Sequence, residues 1–348
     1  MKKKILIFGG SGFIASYLIY DLVKTGNYDI TAVDVSPFGK SFLDQYNVKF
    51  YNFDITDSSK FTLLNSEQYD TVVHLASTQP ANVSSEKYNP RDYINVNAIG
   101  TINILDYCVQ SHSKKIIFLT SHRNTQGLWS RFTGKPIKET DGISIKYDGE
   151  YAMFSISETA AQDCVKHYGQ KYDLKTMIYR IPPVYGYGPH TKIYFQGKPI
   201  VTGFQIFIDK AKESKPIEIW GDQNKGRDII YVKDVVHAIK KGIEKQMIEG
   251  FFNIASGYKL TLREEVDTIV DLYWSDPYIT PIITNNKDRD NGIDEFVYDI
   301  TKAKVELDWH PEYTFRDMLL DINKEEKKKI FSFLVSKREE MFLNTNKI

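Results

Sequence analysis

The stretch that most restricts what this chain can fold into is Lys4-Ile-Leu-Ile-Phe-Gly-Gly-Ser-Gly-Phe-Ile-Ala15. Its apolar run, Ile5 to Phe8, has the character of a short strand buried on both faces, as in a parallel sheet. Gly9 and Gly10 stop the run, and from Phe13 the apolar residues recur with helical spacing as far as Lys24. A strand, a glycine turn and a helix in that order make an anion site. The first helical N–H groups have no partner within the helix, and glycine lets a diphosphate reach the backbone. Gly9 and Gly12, with Phe13 and Ile14 opening the helix, are the candidate cofactor contacts, spaced Gly9-x-x-Gly12-x-x-Ala15 rather than G-x-G-x-x-G. Asp34 ends the next apolar run, 19 residues beyond Ala15. A carboxylate there accepts hydrogen bonds from both ribose hydroxyls of an adenosine and repels a 2′-phosphate. The expected cofactor is NAD rather than NADP.

Composition narrows the partners. In 348 residues Lys plus Arg equals Asp plus Glu at 45 each, so no global field draws in nucleic acid or an anionic membrane. No apolar span is long enough for a bilayer. Met1-Lys-Lys-Lys leads into a strand without the apolar core of a signal peptide, and the expected location is cytoplasmic. Cys108 and Cys164 fall on helical patterns and read as reduced core residues. The seven His residues show no metal-ligand spacing with Cys or carboxylates, so no metal is expected.

Past Asp34, a strand over 48–53 ends at Asp54 and Ile55, placed for adenine contact, while Asp57 suits a helix cap. A strand at 71–75 follows, and His74 within it reads as a satisfied buried imidazole. Leu75, Ala76 and Ser77 come next, with small residues that let the backbone lie against a pyrophosphate and nicotinamide ribose; Thr78 opens a substrate-side loop. A long helix over 91–110 carries Asn97, placed to anchor a loop beyond the cofactor. It also carries Gly100, whose cost of about 1 kcal/mol against Ala implies close helix packing. A strand at 115–119, a polar loop to about 148, a helix over 150–170 and a strand ending at Arg180 complete the alternation, with Pro182 at the cofactor edge. Such alternation demands right-handed crossovers and an α/β, Rossmann-type doubly wound parallel sheet, with ligands off the carboxyl ends of its strands. The expected division is an NAD-binding domain over 1–182 that receives a later segment near 226–256, and a smaller mixed α/β substrate domain over 183–322. A helical extension over 323–348 follows, whose charge run, Lys324 to Lys329, reads as a solvated face.

Several motifs then agree. The opening glycine turn resembles T-G-x-x-G-F-I-G; Val73-His-Leu-Ala76 and Asn97-Ala-Ile-Gly-Thr-Ile-Asn-Ile-Leu105 resemble H-x-A and N-x-x-G-T-x-N-x-L. Arg180-Ile-Pro-Pro-Val-Tyr-Gly186, Gly226-Arg-Asp-Ile-Ile-Tyr-Val232 and Leu307-Asp-Trp-His-Pro311 follow in order. The chain resembles the extended short-chain dehydrogenases/reductases of the NAD-dependent nucleotide-sugar epimerase/dehydratase group, over about residues 3 to 322. The resemblance implies a nucleoside-diphosphate sugar as substrate and a homodimer built through a four-helix bundle from the helices near 92–110 and 150–170. It also implies a diphosphate clamp at Arg227, with Arg289 a second candidate, since guanidinium suits paired phosphate oxygens.

The catalytic centre departs from that family. Its members use a Tyr in Y-x-x-x-K, on the helix after the fifth strand, to move a sugar proton while hydride passes to NAD. The Lys and the nicotinamide charge lower a phenol that otherwise titrates near 10. Here the helix reads Tyr151-Ala-Met-Phe-Ser155, and Ser155 stands where the Lys belongs. The supporting hydroxyl is changed too: counting back from Gly127 puts His122 in its place, whereas counting from the strand puts Ser121 there. Three readings are open. Tyr151 is the acid/base and His122, titrating near 6.5, supplies what the Lys does not; or the protein binds NAD and a sugar nucleotide without chemistry, as a regulatory or scaffolding subunit; or Ser155 is an introduced change. His122-Arg123-Asn124 offers no carboxylate pair to eliminate water, so epimerisation or ketone reduction is expected ahead of 4,6-dehydration.

Overall fold

Apolar, β-branched runs bracketed by turns become seven strands of one parallel sheet: β1 (Lys3–Phe8), β2 (Tyr28–Asp34), β3 (Lys49–Asn52), β4 (Thr71–His74), β5 (Lys115–Ser121), β6 (Lys175–Ile181) and β7 (Gly250–Asn253). In this computed structural model, which describes residues 2–245 and 247–343, the strand order is β7-β6-β5-β4-β1-β2-β3. The order reverses at β1, which lies between β2 and β4. That switch point is where a crevice opens at the carboxyl ends of the strands. Ile5 to Phe8 are fully buried, as a central parallel strand with both faces covered requires.

Helices cover both faces. α1 (Phe13–Thr25) packs on one side, α2 (Gly100–Gln110) and α3 (Ala152–Lys171) on the other. Beyond β6 the chain carries α4 (Gly203–Lys212), α5 (Val232–Glu244), which lies against α1, and α6 (Leu262–Tyr273), with α7 (Phe315–Lys328) and α8 (Ser332–Leu343) ending the described chain. Its small sheets pair Val184–Tyr185 with Ile230–Tyr231 and Ile217–Trp220 with Ile283–Asn286. β7 leaves this region and docks beside β6 as the edge strand of the main sheet.

Two elements differ from the sequence-based expectation. The single helix over 91–110 is instead a turn of helix at Pro90–Tyr93, a wide π-helical turn at Ile94–Ile99, and then α2. A Cβ on Gly100 would lie 2.6 Å from Ile55 Cδ1, so α2 presses onto Ile55 while the wide turn re-aims Asn97. The charge run at 324–329 is not uniformly solvated. Glu325 is 1 % exposed and pairs with Lys233 at 2.7 Å and Lys328 at 3.1 Å, because α7 turns that side chain inward toward α5. Residues 344–348 of the expected extension lie outside the described residues. Among the described residues, no helix is long and apolar enough to cross a membrane and no His, Cys and carboxylate cluster could hold a metal ion.

Candidate functional site

The turn after β1 lies flush against the segment after β4. Gly9 has φ +77°, and a Cβ there would stand 2.7 Å from the Ala76 nitrogen and 2.8 Å from the Leu75 carbonyl carbon, so glycine is required twice over. The Gly9 and Gly10 N–H groups both donate to the Val33 carbonyl at 2.9 Å. Gly12 is the N-cap of α1 and brings no side-chain acceptor, which leaves the first N–H groups of the helix, at Phe13 and Ile14, to an external anion. Asp34 ends β2 and receives the Ser11 N–H at 3.0 Å on one oxygen and the Ser36 N–H at 2.8 Å on the other. Each oxygen keeps a lone pair for a ribose hydroxyl. A cradle that a Cβ would fill, an uncapped helix start and an aimed carboxylate fit NAD: the turn would hold its diphosphate, Asp34 its adenosine ribose, and Ala76 and Ser77 its nicotinamide side.

The other sequence candidates are placed as follows. Asp54 folds back to accept the Thr56 N–H at 2.9 Å, and Ile55 packs beneath Gly100. Pro182 is buried just past β6. His74 Nε2 meets Thr101 Oγ1 at 2.8 Å, its Nδ1 has no partner among the described residues, and burial pushes it down to about 3, so it is neutral. Asn97 accepts the Thr78 N–H at 2.7 Å and donates to the Thr78 carbonyl at 3.2 Å and to Ser157 Oγ at 3.0 Å. One amide thereby ties the loop after β4 to α3.

Tyr151 is the N-cap of α3 rather than a residue within it, and Ser155, buried one turn later, donates its N–H to the Tyr151 carbonyl at 2.8 Å. The Arg123 guanidinium lies 3.8 Å from the Tyr151 ring centroid. Burial holds the phenol above its ordinary value; Arg123 and Arg227 pull it down and Glu150 pushes it up. Arg227 is itself half-buried, with the Tyr185 hydroxyl and Glu265 as its partners. Arg289 lies over the exposed Trp220 ring at 4.5 Å and joins none of these contacts.

His122 follows β5 and packs between aromatic rings. Its ring stacks on Trp129 at 5.8 Å and Phe296 at 5.4 Å. Burial holds it well below the usual range, and the charges of Arg123 and Arg227 add to that. Ser121 caps the 3₁₀ segment His122–Arg131 by accepting the Arg123 N–H at 3.1 Å.

Two residues of the site escaped the sequence reading. Arg123 follows the fifth strand with no motif to mark it. Glu158 lies on α3, 4 % exposed, its Oε1 accepting Ser77 Oγ–H at 2.8 Å, and burial pushes its carboxyl up to about 7. The available signal was spacing: Phe154-x-x-x-Glu158 repeats the interval of Y-x-x-x-K three residues beyond Tyr151.

A model of the NAD dependent epimerase/dehydratase family matches residues 5–255. The dTDP-4-dehydro-6-deoxyglucose reductase of Escherichia coli is 28% identical over 326 residues, 91% of this chain and 95% of its own. The UDP-N-acetyl-alpha-D-glucosaminuronate decarboxylase of Bacillus cytotoxicus is 29% identical over 330 residues, 92% and 96% of the two chains. In fold, the chain is similar to the UDP-glucose 4-epimerase of Thermotoga maritima solved with UDP-glucose, with a TM-score of 0.73 at 24% identity, covering 93% of this chain and 99% of the other.

Proposed function

We propose, since this chain belongs to the NAD dependent epimerase/dehydratase family, that it reduces or epimerises a nucleoside-diphosphate sugar at one carbon, with Tyr151 as its acid/base. The observation that carries this reading is the Arg123 guanidinium 3.8 Å from the Tyr151 ring centroid, on a chain with Ser155 in place of a Lys. NAD, when bound, supplies hydride exchange at its nicotinamide. A phenol held above its ordinary value is protonated at pH 7. Tyr151 can therefore give its O–H proton to a sugar carbonyl oxygen as the carbon is reduced, and Arg123 stabilises the phenolate that remains. That favours reduction of a keto sugar, and a keto-sugar reductase is among the relatives. Arg227, backed by Glu265 and Tyr185, would hold the diphosphate. Asn97 fixes the loop of Thr78.

A second reading has its own observation. Phe154 and Glu158 lie one turn apart on α3, and Glu158 meets Ser77 at the cofactor side. A phenyl ring has no proton to move, and a carboxylate cannot lower a phenol pKa. If these two hold the catalytic places, the protein binds NAD and a sugar nucleotide without turnover.

The test is to incubate the protein with NADH or NAD and a panel of UDP-, GDP-, CDP- and dTDP-sugars, including 4-keto forms, following NADH absorbance and deuterium exchange. Turnover abolished by Tyr151→Phe, with sugar-nucleotide binding retained, supports the first reading; turnover undiminished in Tyr151→Phe refutes it. Binding of a sugar nucleotide with no turnover of any supports the second. We extend the proposal to a cytoplasmic homodimer along α2 and α3, next to which Ile99, closing the π-helical turn before α2, is 44 % exposed. Light scattering at the mass of a single 40.2 kDa chain would refute the dimer.

A further inference from the structure

α8 lies beyond the matched residues 5–255 and packs on the turns at Pro37–Gly39 and Pro189–Thr191. Just before it, Phe331 is fully buried and stacks on Tyr17 at 3.8 Å, and in its first turn Phe333 stacks on Phe42 at 5.0 Å. A Cβ on Gly39 would be 3.5 Å from the Phe333 ring and 2.7 Å from Ser11 Cβ, so the helix starts beside the glycine turn. A Cβ on Gly188 would be 3.7 Å from Leu334 and 2.8 Å from the Phe13 ring. One turn later Lys337 is half-buried, with Asp34 as the acidic group that faces it and Arg338 as the neighbouring cation. Arg338, 5 % exposed, donates Nε–H to the Pro189 carbonyl at 2.7 Å and Nη1–H to Asn82 Oδ1 at 2.8 Å. Phe342 closes the far end by stacking on Tyr194 at 4.7 Å. One helix therefore joins the loop after β2, the glycine turn, the loop after β4 and the turn after β6.

We propose that α8 is part of the dinucleotide site, a strap that closes over the adenosine-diphosphate half and retains the cofactor until the helix detaches. The inference rests on the NAD reading above. Its physical content is that each wall of the crevice is tethered to the same helix. Release of a bound dinucleotide is then coupled to breaking the Arg338 bonds and the Phe342 stack. Lys337 gives the strap a cation on the Asp34 side of the crevice.

The experiment compares the full chain with its Arg338→Ala/Phe342→Ala variant, which loosens α8 through Pro189, Asn82 and Tyr194 and leaves Gly9, Gly12 and Asp34 untouched. Each protein is loaded with NADH, freed of excess by gel filtration, and chased with excess NAD while NADH fluorescence decays. Dissociation from the variant is expected to be at least about tenfold faster, and NAD is expected to slow protease cleavage within α8 of the parent. Arg338→Lys, which keeps one donor, is expected to fall between the two. Equal dissociation rates, with α8 cleaved faster in the variant, would overturn the proposal. Tighter NADH binding by the variant would also overturn it, since α8 would then be a plug. If none of the proteins binds NADH, the cofactor reading itself fails, a result distinct from equal off-rates.

Discussion

Replacing Glu158 with Gln tests the charge of the crevice with almost no change of shape. The carboxyl is buried on α3 and accepts the Ser77 hydroxyl, and burial raises it from an ordinary 4.5 to about 7. Because the folded value lies above the unfolded one, the folded protein holds the proton more tightly. The stability this group contributes is complete below about pH 4.5 and is lost as the pH rises through about 7. The gap between those values, at about 1.36 kcal/mol per pH unit, is on the order of 3 kcal/mol. Gln keeps an acceptor for Ser77 and does not titrate. The variant should therefore melt a few degrees above the parent at pH 8 and converge with it near pH 5. Thermal melts of both proteins, without ligands, from pH 5 to 8.5 provide the measurement. A difference that stays constant across that range would refute the reasoning, since it would place the effect in packing rather than in ionisation.

Other substitutions probe neighbouring features. Gly9→Ala places a Cβ 2.7 Å from the Ala76 nitrogen in a left-handed backbone, and should abolish NAD binding by calorimetry while the parent binds. Asn97→Ala removes three hydrogen bonds around Thr78 and Ser157, and should cost roughly 2–3 kcal/mol in urea unfolding. Arg227→Lys loses the bidentate fork and should weaken UDP binding at least about tenfold with NAD affinity unchanged. His122→Phe preserves the stack on Trp129 and Phe296, and should leave the pH dependence of any turnover between 6 and 8 unaltered; a displaced profile would restore the imidazole as a proton relay.

The parts of this protein legible from sequence are those whose cause is local. An apolar run, a glycine turn and a helical period are written within the first 24 residues, and Asp34 follows at a distance set by one crossover. Asn97 was legible because a polar side chain on an apolar helix needs a partner. What escaped depends on partners far along the chain. The π-helical turn at Ile94–Ile99 answers to Ile55 and Thr78, and a helical period does not reveal an extra residue in one turn. Arg123 gains its meaning from Tyr151, and Glu158 from Ser77. A buried carboxylate on a helix looks in sequence like any solvated one. The same holds for Glu325, hidden in a charge run, and for α8, whose docking rests on aromatic contacts to Tyr17, Phe42 and Tyr194.

The distance between β7 and α8 has a consequence in time. β7 is the last strand of the main sheet, and 78 residues separate its end at Asn253 from the start of α8 at Ser332. At roughly 5–20 residues per second, synthesis takes about 4–16 s to cover that stretch. For that interval the strands that line the crevice precede the helix proposed to cover it. A small molecule abundant in the cell has ample opportunity to enter before the last helix is in place, and the first cofactor a molecule meets can be the one it keeps.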